Sequence, residues 1–227
     1  DLIGERIFNT FLLALLTAAV AVPLSIGLGL LSALKPNGTV DRAISAISLT
    51  MISLPDFLVA IILVMLFAIT WRWFPAIVNI RAGSSFSTLL WALVLPITTL
   101  VFSVLAHMVR MTRTAVLNVL TTPPIEMAIL KGVPRWRILL IHALPNALAP
   151  IVNVVALNLA YLVAGIVVIE TLFNMTGLGR LMAESVRTRD IPVVQACAMI
   201  FCTVYVLLNL FADVVSIVSN PRLRYPK

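Results

Sequence analysis

The sequence predicts an all-α, polytopic membrane protein with five transmembrane helices. Three observations carry this. Of 227 residues, 61% are hydrophobic and only 11% charged, whereas a soluble domain has about 25% charged and about 45–50% apolar residues. The few charges leave five long apolar runs, each beyond the roughly 20 residues that a helix needs to cross a bilayer core about 30 Å thick. Strict apolar–polar alternation is absent, which argues against a transmembrane β-barrel. The composition excludes a water-soluble globular enzyme, a disordered tail and a disulfide scaffold. With no soluble domain and no low-complexity stretch, residues 1–227 read as a single transmembrane domain.

The runs follow in order. Residues 7–34 carry no charge, 43–71 are broken by Asp56 alone, and 82–109 hold one histidine, His107. Residues 138–169 have His142 near their start, and 191–221 have Asp213 as their sole charge. The spans within these runs are expected at about 8–33, 44–70, 86–109, 142–169 and 194–218, with a long connection over 110–141. Cys197 and Cys202 lie five apart in the last run; on one helix they cannot close a disulfide and read as small buried hydrophobes. Pro55 and Pro96 are expected to kink their helices. Asn153, Asn158 and Asn209 are candidates for polar contacts between helices.

Five spans put the two ends on opposite sides. One side collects Lys35, Arg42, Arg110, Arg113, Lys131, Arg135, Arg137, Arg222, Arg224 and Lys227; the other has Arg6, Arg72, Arg81, Arg180, Arg187 and Arg189. Basic loops stay cytoplasmic, so the first set faces the cytoplasm, the C-terminus is inside and the N-terminus outside. The net charge of +7 thus reads as basic loops rather than a nucleic-acid surface. An outside start with neither signal peptide nor initiator Met implies that at least one upstream span is absent from this chain.

The 110–141 connection is the most informative segment. Thr122 suits a helix N-cap. Pro123 and Pro124 fit a first turn, where their missing N–H groups cost nothing. Glu126 follows where the helix dipole favours an anion. A short helix over 125–131 is expected, ended by Gly132 in a left-handed C-cap and blocked by Pro134. Trp136 with its flanking arginines suits an interfacial anchor. Such a helix either tidies a loop or is a docking knob through which a soluble partner moves the membrane part as a rigid body.

The external segment 170–191 exceeds a plain connector. Gly177-Leu178-Gly179 implies a tight turn, and Arg180, Glu184, Arg187 and Asp190 make it polar. Within the apolar runs, ionisable residues are costly and often functional. Asp56 has three readings: lining a path, pairing with a cation of a partner subunit, or capping a broken helix. Asp213 reads as pairing with a basic residue near the cytoplasmic end, and His107 as a satisfied packing residue.

Glu126-Met127-Ala128, then Gly132, then Leu144-Pro145 resemble the EAA loop of permease subunits of ATP-binding-cassette importers. Met127 departs from the Ala of that pattern and His142 from its Ile. Flanking segments extend the resemblance over essentially the whole chain: 4–15, 41–45, 53–57, Arg110-Met111-Thr112-Arg113, 168–173, Gly177-Leu178-Gly179-Arg180, 190–195 and 220–225. Together they are most similar to the B-type permease subunit of dipeptide and oligopeptide importers, a group that includes nickel and glutathione systems.

The resemblance implies a type I importer permease fold of six spans, the first missing here, in a bacterial inner membrane. It implies a translocation path shared with a second homologous permease subunit, two cytoplasmic ATPase subunits or domains, and an extracytoplasmic substrate-binding protein. ATPase closure would push the short helix, with Glu126 as contact or cap, Ala128 small enough for close approach, Gly132 making the turn back, and Leu144-Pro145 following. The external loop, with Glu170, Gly177, Gly179, Arg180 and Asp190, would meet the binding protein or released substrate.

The chain has no phosphate-binding G-x-x-x-x-G-K-[ST] loop and no His/Glu zinc spacing, so neither catalysis nor a cofactor is expected of it. An intramembrane protease is disfavoured, since His107 and His142 both fall on the cytoplasmic side and Asp56 and Asp213 at different depths. The alternative, a stand-alone channel or secondary transporter, needs a polar relay that so few charges do not supply.

Overall fold

The computed structural model describes residues 2–78 and 85–219, with side chains from 4 to 218. Arg81, Arg222, Arg224, Lys227 and the 220–225 signature therefore lie outside the described residues. All regular structure among the described residues is helical. In order these are α1 (Leu2–Leu34), α2 (Thr39–Ser53), α3 (Asp56–Leu63) with a π-helical turn over Val64–Thr70, α4 (Phe86–Leu120) and α5 (Pro123–Leu130). Then come α6 (Arg135–Arg137), a second π-turn over Ile138–Ala143, α7 (Leu144–Leu172), α8 (Leu178–Thr188) and α9 (Ile191–Ser219). Four stretches are long and apolar enough to cross a membrane, or five when the bent pair Thr39–Ser53 and Asp56–Thr70 is one span.

Several elements differ in extent from their apolar runs. The 43–71 run is two helices, broken at Leu54-Pro55 and bent by 99°. The break has a local cause, since proline disfavours helix in the residue before it and supplies no N–H. Pro96, by contrast, lies inside α4 without ending it. That helix continues to Leu120, well into the expected 110–141 connection, because no breaker interrupts residues 110–120 and Ala115 and Val116 are buried.

The chain forms two compact units. One holds the described residues of Asp1–Ala21, Ser53–Val104 and Ala160–Val206. Its buried side chains include Leu13, Leu93, Leu100, Ile166, Phe173 and Met175. The π-turn at Val64–Thr70 ends in an aromatic group: Phe67 lies edge-on to Trp71 at 5.0 Å, and Phe74 lies 4.7 Å from Trp91.

The other unit holds the described residues of Val22–Ile52, Leu105–Leu159 and Leu207–Lys227. Its core is built from Ala33, Ala115, Val116, Leu139, Ala147 and Ile151, with Leu30, Leu120, Leu144 and Val155 packed against it. Ala33, Ala115 and Ala147 are small, which lets helix backbones approach closely. At Gly29 a Cβ would come within 2.8 Å of the Thr112 methyl carbon, so α1 and α4 meet there with no room for a side chain.

Candidate functional site

The expected short helix exists as α5, one to two residues earlier than expected. Thr122 stands at its N-cap with extended backbone (φ −85°, ψ 147°), and Pro123 and Pro124 occupy the first turn. The Thr122 hydroxyl does not cap the helix, however. It donates 2.7 Å back to the Val119 carbonyl, so it closes the end of α4 instead. Glu126 lies in the first turn and is exposed.

The C-terminal end is tightly specified. Gly132 has φ +74°. Its N–H donates to the Ile129 carbonyl at 2.9 Å, and the Val133 N–H donates to the Ala128 carbonyl at 3.2 Å. This pair of bonds is a Schellman motif, which satisfies the last carbonyls of the helix and reverses the chain. Pro134 then starts α6 with extended backbone, and the chain runs on through the π-turn into α7. Leu144 is half-buried, packed on the core of its unit, and Pro145 is exposed in the first turn of α7.

Apart from Glu126 the helix is apolar all round. Ile125 is buried, whereas Met127, Ile129 and Leu130 are exposed, Leu130 by 81%. Ala128 is half-buried. Ile129, one turn after Ile125, lies on the same side of the helix and lines a small pocket with Leu34, Leu120 and Leu139, while Met127 and Leu130 point away.

Beside this segment lies a polar cluster that sequence reasoning missed. Asp41, 3% exposed, receives Arg113 Nε at 2.7 Å on Oδ1 and Arg113 Nη2 at 2.8 Å on Oδ2. The Ser32 hydroxyl also donates to Oδ1, and the Asn37 N–H donates to Oδ2 at 2.7 Å. Asp41 precedes the apolar run that begins at Ala43. The Arg113 guanidinium, with the Ser32 and Asn37 donors, holds its carboxyl well below the usual carboxylate range against the opposing effect of burial. Both residues belong to segments singled out for their resemblance, yet nothing in the sequence pairs two positions 72 apart.

The 170–191 segment is more ordered than a loop built on a glycine turn. Residues 170–191 are not an open loop. They end α7, turn at Asn174 (φ 55°), and form α8, which closes on Arg189 (φ 59°). Gly177 is extended (φ −128°, ψ −179°), so the Gly177-Leu178-Gly179 segment does not use glycine for a tight turn. The glycines are needed for space. The Glu170 carboxylate fills the volume a Cβ on Gly177 would take, and a Cβ on Gly179 would lie 2.6 Å from Val167 Cα.

Glu170 is fully buried. It accepts from Thr10 Oγ1 at 2.5 Å and from the Arg180 N–H at 3.1 Å, while Thr10 Oγ1 accepts from the Leu178 N–H at 2.9 Å. Asn9 Nδ2 donates to the Thr176 carbonyl at 2.7 Å. Glu170 thus ties α1, α7 and the start of α8 into one clamp. Arg180 extends the clamp outward, donating from Nε to Glu184 at 2.7 Å and from Nη1 to the Asn174 carbonyl at 2.8 Å. Asp190 is exposed just ahead of α9, with its carboxylate 3.4 Å from the Val193 N–H.

Residues 25–225 match the family described as binding-protein-dependent transport system inner membrane component. The chain belongs to that family. It is 34% identical over 225 residues to a probable peptide ABC transporter permease protein of Sinorhizobium fredii, covering 99% of this chain and 72% of that protein. It is 33% identical over 227 residues to an oligopeptide transport system permease protein of Bacillus subtilis, with 99% and 72% covered. A glutathione transport system permease protein of Pectobacterium atrosepticum is 34% identical over 224 residues, with 98% and 70% covered. In fold, the chain matches inward-facing structures of the MetNI methionine ABC transporter, with a TM-score of 0.77 at 16% identity and 96% of both chains covered.

The remaining candidates of this permease are scattered. Asp56 sits in the first turn of α3, directly after the Pro55 break. It is half-buried, with Oδ2 3.7 Å from where a Cβ on Gly165 would stand. The helix dipole favours an anion at that position, and no side-chain cap bond is made at the Pro55 N-cap. Asp213 is exposed and joins none of the ion pairs among the described residues, so the expected basic partner is not found there. His107 is exposed rather than packed, and Cys202 is exposed whereas Cys197 is buried. His107 and Cys202 face outward because apolar residues surround a membrane helix on every side and hydropathy carries no direction. Asn158 donates 2.7 Å to the Val154 carbonyl of its own helix, and Asn153 reaches Ser216 of α9 at 3.4 Å.

Proposed function

We propose that this permease carries peptides or related small solutes, and that force enters it through residues 122–133. ATP hydrolysis takes place on two cytoplasmic ATPase subunits or domains. A second homologous permease subunit supplies the other half of the path, and an extracytoplasmic binding protein delivers the solute. The C-terminus faces the cytoplasm.

The observation that supports this reading is α5 itself. The helix is fixed at its start by Pro123 and Pro124 and at its end by the Schellman pair, and its most outward apolar side chains are Met127 and Leu130. A groove on an ATPase subunit would gain apolar contact there, with Glu126 at the rim and Ala128 allowing close approach. Because the cap is rigid, a push on α5 is passed to α4 and α7 rather than absorbed in a loop. The peptide class is supported by the names of the curated relatives. The buried Glu170 holds the external segment in shape, leaving the exposed side chains of α8 and Asp190 as the surface for the binding protein.

The test is reconstitution of the complex with its ATPase and binding protein in proteoliposomes. ATP-dependent peptide uptake that disappears on omission of the ATPase is the expected result. Solute flux through this chain alone would replace the reading by a channel.

A further inference from the structure

The cluster around Asp41 has a place in the fold that goes beyond a local ion pair. Its four donors come from three parts of one unit: Ser32 near the end of α1, Asn37 in the turn to α2, and Arg113 on α4. Arg113 precedes Ala115 and Val116, which are buried in the core with Leu139, Ala147 and Ile151. Thr112 beside it fills the space over Gly29 of α1. From Arg113, α4 runs less than three turns to Leu120 and hands over to α5 through Thr122.

We propose that the Asp41–Arg113 fork is a positioning pair for energy coupling: it fastens the α1–α2 turn to α4, so that displacement of α5 moves both. This rests on the reading that an ATPase pushes α5. The chemistry favours a positioning role over a path-lining one, because Asp41 is almost fully buried with both oxygens occupied and offers nothing to a solute. The geometry also specifies arginine. Two parallel N–H donors to two carboxylate oxygens fix orientation as well as distance, whereas a lysine supplies a point charge without the fork.

The experiment uses the whole transporter in proteoliposomes, with Arg113→Lys, Asp41→Asn and, as a packing control, Val116→Ala. Three quantities are read: co-purification of the ATPase, ATP hydrolysis, and solute transported per ATP hydrolysed. Arg113→Lys and Asp41→Asn are expected to keep the ATPase bound and hydrolysing while the transport-to-ATP ratio falls about tenfold. Val116→Ala, which loosens the same core but leaves the fork, is expected to keep the wild-type ratio. An unchanged ratio in both fork variants, or an equal fall in Val116→Ala, overturns the proposal and leaves a merely structural pair. If a fork variant fails to assemble, a Ser32→Ala variant, which removes one donor and no charge, takes its place with the same expectation at smaller size. Failure of wild-type permease to bind an ATPase is a different outcome: it removes the reading of α5, and this inference with it.

Discussion

The carboxylate of Glu170 occupies the volume that a Cβ on Gly177 would need. The two residues are joined by shape rather than by a bond, and a Cβ on Gly179 would likewise come too close to the α7 backbone at Val167. The start of α8 can lie against α7 only because both positions lack side chains.

Gly177→Ala should therefore destabilise the fold, by about 1–3 kcal/mol as overpacking does in other cores. The added methyl meets a buried carboxylate held by Thr10 and the Arg180 N–H, which has little freedom to withdraw. Thermal unfolding in detergent measures this. In Glu170→Ala the same glycine substitution should cost much less, because the obstructing group is gone, and strict additivity of the two changes would contradict the account.

At Gly132 the demand is of the opposite kind. Nothing lies within 4 Å of a Cβ there, but φ is +74°, a region that costs an L-residue about 1–2 kcal/mol and a β-branched one most. Gly132→Val should misplace the return to the membrane and lower transport-coupled ATPase activity in the reconstituted complex, while Gly132→Asn, which tolerates that backbone, should retain most of it. Full coupling in Gly132→Val would sink the assigned role.

These two glycines show where sequence was informative. The Pro123, Pro124 and Gly132 signals were legible because helix ends are local: a few adjacent residues determine the backbone, although the Thr122 hydroxyl bonds Val119 rather than capping α5. The need for Gly177 was not, since its cause is Glu170, itself bonded to Thr10, 160 positions away in the chain. Distance along the chain, 72 positions, also hid Asp41–Arg113. Hydropathy located the apolar runs but could not end α4, since Leu120 is the last residue of a helix whose final turns lie beyond the apolar run.

Asp41 gives a pH-dependent prediction. Its carboxyl is held below its ordinary value, so its contribution to stability is complete above the unfolded value of about 4 and is lost as pH falls through the depressed native value. Asp41→Asn should destabilise the fold by about 3 kcal/mol at neutral pH, the lower end for a broken buried pair because Arg113 is partly exposed. The gap to wild type in denaturation midpoint should stay constant from pH 5 to 8 and narrow in more acidic solution. A gap that widened on acidification would contradict this sign.

Leu130→Asp places a charge on the most exposed apolar residue of α5. It touches no core, so the unfolding midpoint should move by less than about 0.5 kcal/mol in stability terms. Retention of the ATPase during purification should nonetheless fall at least tenfold, since a buried unpaired carboxylate opposes docking. Unimpaired retention would remove Leu130 from the contact.

The central claim, that force enters through α5, is tested most directly by cross-linking. With Cys197 and Cys202 replaced by serine, a single cysteine at position 130 is placed in the assembled transporter and treated with a short thiol- and amine-reactive linker. A covalent adduct with the ATPase subunit is expected at position 130 and none at position 8, an exposed residue early in α1. An ATPase that co-purifies fully yet never cross-links at 127, 129 or 130 would show that it docks elsewhere and would contradict the claim.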